Sequence, residues 1–286
     1  MNSQIGCIGV VGAGTMGNGI AQVFAQKGFS VILCDSLSSQ LEKALKTIDR
    51  NLSREVEKNR LDPPSRELTL QNIQFRLDLD SLEDTELVVE AVSEDVELKR
   101  KILTQLDQLC RSQTILATNT SSISITRLAA ATQRPDQVIG MHFMNPVPAM
   151  KLVEIIRGLL TSQQTVTTIH ALVNRLGKVP VEVNDSPGFV SNRILMPMIN
   201  EAIFCVYEGV GNLEAVDSVM KLGMNHAMGP LALADLIGLD VCLNIMETLY
   251  EGFNDSKYRP CPLLKNMVAA GKLGRKSGEG FYHYSH

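Results

Sequence analysis

Short apolar runs alternate with stretches of helical periodicity over the first two thirds of the chain. Runs rich in Val and Ile at 5–11, 31–34, 87–92, 114–118, 138–142 and 152–156 are each short enough for a strand buried on both faces. Between them, apolar positions recur at helical spacing over 16–27, 39–58, 96–110 and 123–130. Strand and helix in alternation predict a mostly parallel sheet with right-handed crossovers. The helical region from Ser39 must break at Asp62-Pro63-Pro64-Ser65, because proline lacks an N–H and clashes with the preceding turn. A helical hairpin inserted into the sheet topology is the expected result.

From Gln163 the pattern changes. Helical segments follow one another at 163–176, 188–208, 212–222, 230–251 and 262–271, with only 179–183 reading as strand. The cluster Asp185-Ser186-Pro187-Gly188 is a strong breaker and marks the boundary. The expectation is an α/β domain over 1–186, followed by a smaller all-helical domain over 187–286. No internal repeat and no low-complexity segment interrupts this plan.

Composition narrows the function classes. A chain of 286 residues with 44% hydrophobic and 20% charged residues is an ordinary globular protein with room for two domains. A net charge of −4 lacks the basic excess of nucleic-acid binders. Met1-Asn2-Ser3-Gln4 has no basic leader pattern, so no secretory signal is expected. The most apolar stretch of the C-terminal part, residues 194–210, is interrupted by Asn200, Glu201 and Glu208, so it is not expected to span a membrane. The 6 cysteines lack CxxC spacing and several fall in apolar runs, which reads as buried free thiols in a reducing, cytoplasmic setting rather than disulfides or zinc ligands.

Two constellations carry chemistry. Gly12-Ala13-Gly14-Thr15-Met16-Gly17 follows a strand and opens a helix, the context that gives a GxGxxG pattern its meaning. Gly12 permits the tight turn, Gly14 lets the backbone approach a pyrophosphate, and Gly17 lets the helix pack on the strand. The helix N-terminus adds N–H groups and a positive dipole end. Asp35 ends the second strand, placed to accept from an adenosine ribose and to repel a 2′-phosphate, which favours NAD over NADP. The plainer alternative is a glycine turn that binds nothing, with Asp35 capping the next helix. The fold this implies is a Rossmann-type doubly wound sheet.

The second constellation is His142 with Glu154. If 138–142 and 152–156 form an antiparallel hairpin centred near Pro148, these two residues become cross-strand partners. A carboxylate on one ring nitrogen fixes the tautomer and leaves the other nitrogen free to accept a proton. That suits removal of a hydroxyl proton as hydride leaves the neighbouring carbon. The alternative is a structural His beside a turn, with Glu154 in solvent.

With Glu90-Ala91, Asn119-Thr120-Ser121-Ser122, His142-Phe143-Met144-Asn145-Pro146, Pro187-Gly188-Phe189-Val190-Ser191-Asn192-Arg193, Met228-Gly229-Pro230-Leu231 and Gly274-Arg275-Lys276-Ser277-Gly278-Glu279-Gly280-Phe281-Tyr282 added to the glycine loop and Asp35, the chain resembles the short-chain L-3-hydroxyacyl-CoA dehydrogenases along its whole length, in order. It is most similar to the bacterial 3-hydroxybutyryl-CoA dehydrogenases. The resemblance implies that His142 is the general base and Glu154 its orienting partner. It implies that Ser121 and Asn192 position the substrate's 3-oxygen and thioester, in a cleft between the two domains. Gly12, Gly14, Thr15, Met16, Gly17, Asp35 and Asn145 would hold NAD, with Asn145 also lining the substrate cleft and Glu94, Lys99 and Lys276 at the nicotinamide end. Arg54 and Lys58, four apart on one helix face, would meet the phosphates of CoA; a solvated basic face is the alternative. The C-terminal domain would pair into a homodimer.

Met144 stands where relatives often carry an aromatic residue, and Asp62-Pro63-Pro64 is an unusual hinge; these depart from the family pattern at the acyl and CoA ends of the site. Two rival readings stay open from sequence. One is a dehydrogenase of the same fold acting on a non-CoA alcohol such as a sugar acid. The other is a non-catalytic nucleotide-binding protein, which would need none of Ser121, His142, Glu154 and Asn192.

Overall fold

A computed structural model describes residues 5–284, so Met1–Gln4, on which the expectation about a leader rests, lie outside the described residues. The chain divides into two compact units, one up to Asp185 and one from Ser186.

The first unit is built in the order β1 (Cys7–Val11), α1 (Thr15–Gln26), β2 (Ser30–Cys34), α2 (Ser38–Glu57), α3 (Pro63–Gln71), β3 (Ile73–Arg76), β4 (Leu87–Glu90), α4 (Val96–Leu109), β5 (Ile115–Thr118), α5 (Ile125–Ala129), β6 (Val138–Phe143), β7 (Leu152–Arg157), α6 (Gln163–Arg175) and β8 (Val179–Asn184). The strands form one sheet in the order β3-β2-β1-β4-β5-β6-β7-β8. Pairing is parallel from β3 to β6, antiparallel between β6 and β7, and parallel again between β7 and β8. The order reverses between β1 and β4, the switch point at which open α/β sheets bind ligands beyond the carboxyl ends of their strands. The central strands are buried on both faces, as their unbroken apolar runs require.

The hairpin of α2 and α3 forms as the two prolines dictate. Pro63 and Pro64 occupy the first helical positions of α3, where a missing N–H costs nothing, and Asp62 caps the helix by accepting from the Ser65 N–H at 2.7 Å. α2 turns Leu41, Ala44, Ile48 and Leu52 inward. The sequence pattern does not predict the short strand β3. Only Ile73 of its four residues is buried, so it carries no apolar run to betray it.

The second unit is helical: α7 (Ser191–Tyr207), α8 (Leu213–Gly223), α9 (Pro230–Ile237), α10 (Leu239–Phe253) and α11 (Pro262–Ala269). Its own core gathers Met196, Ile199, Ile203, Leu231, Leu239, Ile245, Met246, Leu249 and Leu264. The sequence pattern predicts one helix over 230–251, and the structure corrects this to two. Gly238 adopts φ of +106°, a conformation closed to a helix, and splits the run between Ile237 and Leu239. Among the described residues no helix is long and apolar enough to cross a membrane.

Candidate active site

The glycine turn leaves β1 at the switch point. Gly12 takes φ of +100° and donates its N–H to the Cys34 carbonyl at 2.8 Å. A side chain there would also strike Ala91, with a Cβ only 2.7 Å from its carbonyl oxygen. At Gly17 a Cβ would fall 1.7 Å from the Gly12 oxygen, so the first turn of α1 rests directly on the loop. Gly14 is different: a Cβ there would meet nothing within 4 Å, and the residue is exposed. Gly14 is also the N-cap of α1, with no capping side chain and no acidic residue in the first turn. Open space above an uncapped helix start is the cradle a pyrophosphate needs. Thr15 and Met16 begin that helix.

Asp35 closes the turn from the β2 side. Its two oxygens accept from the Ala13 N–H at 2.8 Å and the Leu37 N–H at 3.0 Å. The carboxylate thus ties the loop to the start of α2, which combines the helix-capping alternative with a hold on the glycine turn. Each oxygen has a second lone pair with which to accept from a ribose hydroxyl.

The loops after β4 and β5 are bound by a charged network. Glu90, wholly buried, accepts from Lys99 Nζ at 2.7 Å, Thr118 Oγ1 at 2.6 Å and the Val92 N–H at 2.7 Å. Lys99, equally buried, also reaches the Val92 carbonyl at 3.3 Å and Glu94 Oε2 at 3.5 Å. The other oxygen of Glu94 accepts from Thr120 Oγ1 at 2.6 Å and from the Ser121 N–H and Oγ at 2.9 and 3.1 Å. Burial acts to raise the Glu94 pKa, but the Lys99 ammonium and these donors outweigh it and hold the carboxyl below its ordinary value. Ser121 is thereby fixed at the carboxyl end of β5. Asn119 bridges onward, accepting from the Phe143 N–H at 2.9 Å at the end of β6.

β6 and β7 form the hairpin that the sequence spacing implies, with His142 paired to Glu154. His142 Nδ1 lies 2.8 Å from Glu154 Oε2, and both side chains are buried. Because a carboxylate only accepts, the contact puts the proton on Nδ1 and leaves Nε2 as the basic nitrogen. The connecting turn is held from beneath by Lys178, whose Nζ donates to the Val147 and Met150 carbonyls at 2.6 Å each. Burial pushes the Lys178 pKa down. Val147 in turn packs on α1, where a Cβ on Gly19 would come within 2.9 Å of it. The β6–β7 hairpin and the helix of the glycine turn therefore share one packed contact. Sequence reasoning missed both Lys178 and the role of Glu90. A lysine beside a strand and a glutamate ending an apolar run were the only signals.

The remaining predicted residues are spread over the molecule. Asn145 is exposed at the head of the hairpin turn. Arg54 and Lys58 are exposed near the end of α2. Asn192 and Lys276 belong to the second unit, Asn192 buried in the first turn of α7 and Lys276 paired to Asp240 Oδ2 at 2.6 Å.

The chain matches known proteins along nearly its whole length. Residues 7–186 match the family model of the 3-hydroxyacyl-CoA dehydrogenase NAD-binding domain, and residues 188–284 match that of the C-terminal domain of the same enzymes. A 3-hydroxybutyryl-CoA dehydrogenase of Bradyrhizobium diazoefficiens is 53% identical over 99% of this chain and 97% of its own length. One of Clostridioides difficile is 50% identical over 97% of this chain and 99% of its own. The crystal structure of (S)-3-hydroxybutyryl-CoA dehydrogenase from Ralstonia eutropha superposes with a TM-score of 0.96 at 51% identity, covering 99% of this chain and 100% of that one.

Proposed function

Since the chain belongs to the 3-hydroxyacyl-CoA dehydrogenase family, we propose that it interconverts a (3S)-3-hydroxyacyl-CoA, foremost 3-hydroxybutyryl-CoA, and the 3-oxoacyl-CoA. NAD, when bound, supplies the hydride acceptor. The observation that carries this reading is the buried His142–Glu154 pair, on the same sheet as the glycine turn and packed to its helix.

The chain's own residues divide the work. Gly12, Gly14, Thr15, Met16 and Gly17 hold the pyrophosphate, and Asp35 accepts from the adenosine ribose. Glu94, Lys99 and Asn145 serve the nicotinamide half; Lys276 joins them on the family pattern. His142 Nε2 removes the hydroxyl proton from the substrate as hydride departs from C3, and Glu154 offsets the positive charge that the imidazole gains. Ser121, held by Glu94, and Asn192 supply fixed dipoles to the oxygen on which charge changes. Arg54 and Lys58 meet the phosphates of CoA. Residues 1–186 form the cofactor domain and 187–286 the substrate and dimerisation domain. The homodimer follows the family pattern, and pairing through the second unit would cover aliphatic residues that a lone subunit leaves exposed there, Leu222 at 85% and Ile194 at 67%. Six free thiols, four of them buried, favour the reducing cytoplasm.

The test is direct. Purified protein mixed with NAD and (3S)-3-hydroxybutyryl-CoA should produce NADH, seen by its absorbance, and free 3-hydroxybutyrate should give far less. Turnover of the free acid but not the thioester would replace the substrate class. Absence of turnover with both would overturn the reading.

A further inference from the structure

The network at the ends of β4 and β5 holds two carboxylates and one ammonium. Glu90 and Lys99 are both fully buried and 2.7 Å apart, and Glu94 stands 3.5 Å from the same ammonium on the solvent side. Glu90 takes three donors at hydrogen-bond distance, so it acts as a carboxylate, and the three groups sum to one negative charge. A tie between two loops does not require this. Buried ion pairs contribute little net stability compared with well-packed neutral groups. What the second carboxylate adds is charge. With Glu90 spending itself on Lys99, the charge on Glu94 is left uncancelled.

Topology fixes what that charge faces. Asp35 at the end of β2 marks the adenosine side of the glycine turn, and a dinucleotide crosses the switch point from there towards β4. The loop after β4 abuts the turn itself at Ala91 and Gly12. His142 lies beyond it on β6, so the carbon that receives hydride must lie on this side as well. Glu90, Lys99 and Glu94 therefore border the nicotinamide half, whose ring is positively charged when oxidised and neutral when reduced.

Building on the NAD-dependent oxidation described above, we propose that Glu90 biases this site towards the oxidised cofactor, by occupying Lys99 and so keeping a net negative charge beside the ring. It acts through Lys99 and Glu94 and is a positioning residue in this sense. A fixed charge in a partly buried site is screened far less than one in water, so removing it should be visible in binding alone.

Calorimetric titration with NAD+ and with NADH, without acyl substrate, measures the bias as a ratio of dissociation constants. Glu90→Gln keeps the shape and can still accept from Lys99, but takes the net charge from −1 to zero. The ratio Kd(NAD+)/Kd(NADH) should rise about tenfold. Lys99→Met leaves the buried Glu90 without its cation, so Glu90 takes up a proton, the net charge stays near −1 and the ratio should stay within about threefold of the wild type. The double variant Glu90→Gln with Lys99→Met restores −1, so its ratio should return to that of the wild type even if both affinities weaken. An unchanged ratio in Glu90→Gln, or a double variant that behaves like it, overturns the inference. If Glu90→Gln does not fold, Glu94→Gln decides, since it also takes the net charge to zero and should raise the ratio likewise. A wild-type protein that binds neither nucleotide would count against the proposed dehydrogenase function instead.

Discussion

Across the β6–β7 pair, Glu154 Oε2 lies 2.8 Å from His142 Nδ1, and at 8% and 2% exposure neither side chain has bulk water to replace the other. The contact sets the tautomer that makes Nε2 basic. His142→Gln should lower turnover at least ~100-fold, the lower end of what general base catalysis contributes. Glu154→Gln keeps an acceptor for the ring but no charge to balance an imidazolium, so roughly a tenfold loss is expected. The glycine turn is untouched in both, and steady-state kinetics should show KM for NAD within about twofold of the wild type. Normal turnover in the His142 variant would remove it from the mechanism.

That pairing was legible before any coordinates, because antiparallel register is arithmetic. Positions equidistant from Pro148 must face each other once the turn is placed there. The glycine turn is legible for a similar reason, since Gly12 and Gly17 each meet a steric demand while Gly14 leaves the space a pyrophosphate would fill. What the sequence leaves hidden depends on side-chain contacts that no pattern of spacing marks. The Glu90–Lys99 pair joins a strand end to the helix after it, and Lys178 reaches back across a hairpin about which its own neighbours carry no hint. β3 and the break at Gly238 escaped because one lacks an apolar run and the other lies within one.

The three glycines of the turn should respond differently to alanine. Gly17→Ala places a methyl 1.7 Å from the Gly12 oxygen and should destabilise the first unit by more than the ~1–3 kcal/mol of ordinary overpacking. Gly14 has φ of −64° and open space, so Gly14→Ala should melt close to the wild type. Its methyl would instead occupy the approach of the pyrophosphate, and KM for NAD should rise about tenfold or more. Thermal melts alongside NAD titrations separate the two outcomes. Unaltered NAD affinity in Gly14→Ala would place the cofactor elsewhere.

Glu94 ties the Ser121 loop to stability through pH. Its folded pKa lies below the ordinary 4.5, as Lys99 and the loop donors overcome the effect of burial. A carboxyl depressed in this way contributes stability that is complete above its unfolded pKa and is lost as pH falls through the folded one. The gap in urea midpoint between the wild type and Glu94→Gln should therefore be flat well above 4.5 and shrink below it. A gap that widens on acidification would reverse the sign and refute the assignment.

The exposed aliphatic residues of the second unit make the dimer testable. Leu222→Glu adds a charge at a position already 85% exposed, so it should leave the melting temperature of a lone subunit nearly unchanged. If Leu222 lies in an interface, burying that charge opposes association, and sedimentation should show the subunit mass rising from about one to two copies only in the wild type. A wild type that sediments as a single copy at all concentrations would discard the homodimer.

The C-terminal glycine-rich segment has a structural task that its sequence does not announce. Asp235, almost fully buried on α9, accepts from the Phe281 N–H at 2.9 Å with one oxygen, and from the Tyr282 N–H at 2.9 Å and Tyr284 hydroxyl at 3.0 Å with the other. Gly280 must be glycine, because a Cβ would sit 2.0 Å from that carboxylate. Asp217 supports the same wrap by accepting from the Tyr282 hydroxyl at 3.0 Å. Asp235→Asn can satisfy Phe281 but turns an amide N–H towards the Tyr282 N–H, leaving a buried donor unpaired. That should cost about 1–3 kcal/mol and lower the melting temperature by several degrees. Limited proteolysis should then release the chain end near Gly271–Gly280 before the rest is cut, while NAD affinity of the first unit holds. Resistance to protease equal to that of the wild type would mean that the carboxylate is not what fastens the C-terminal segment.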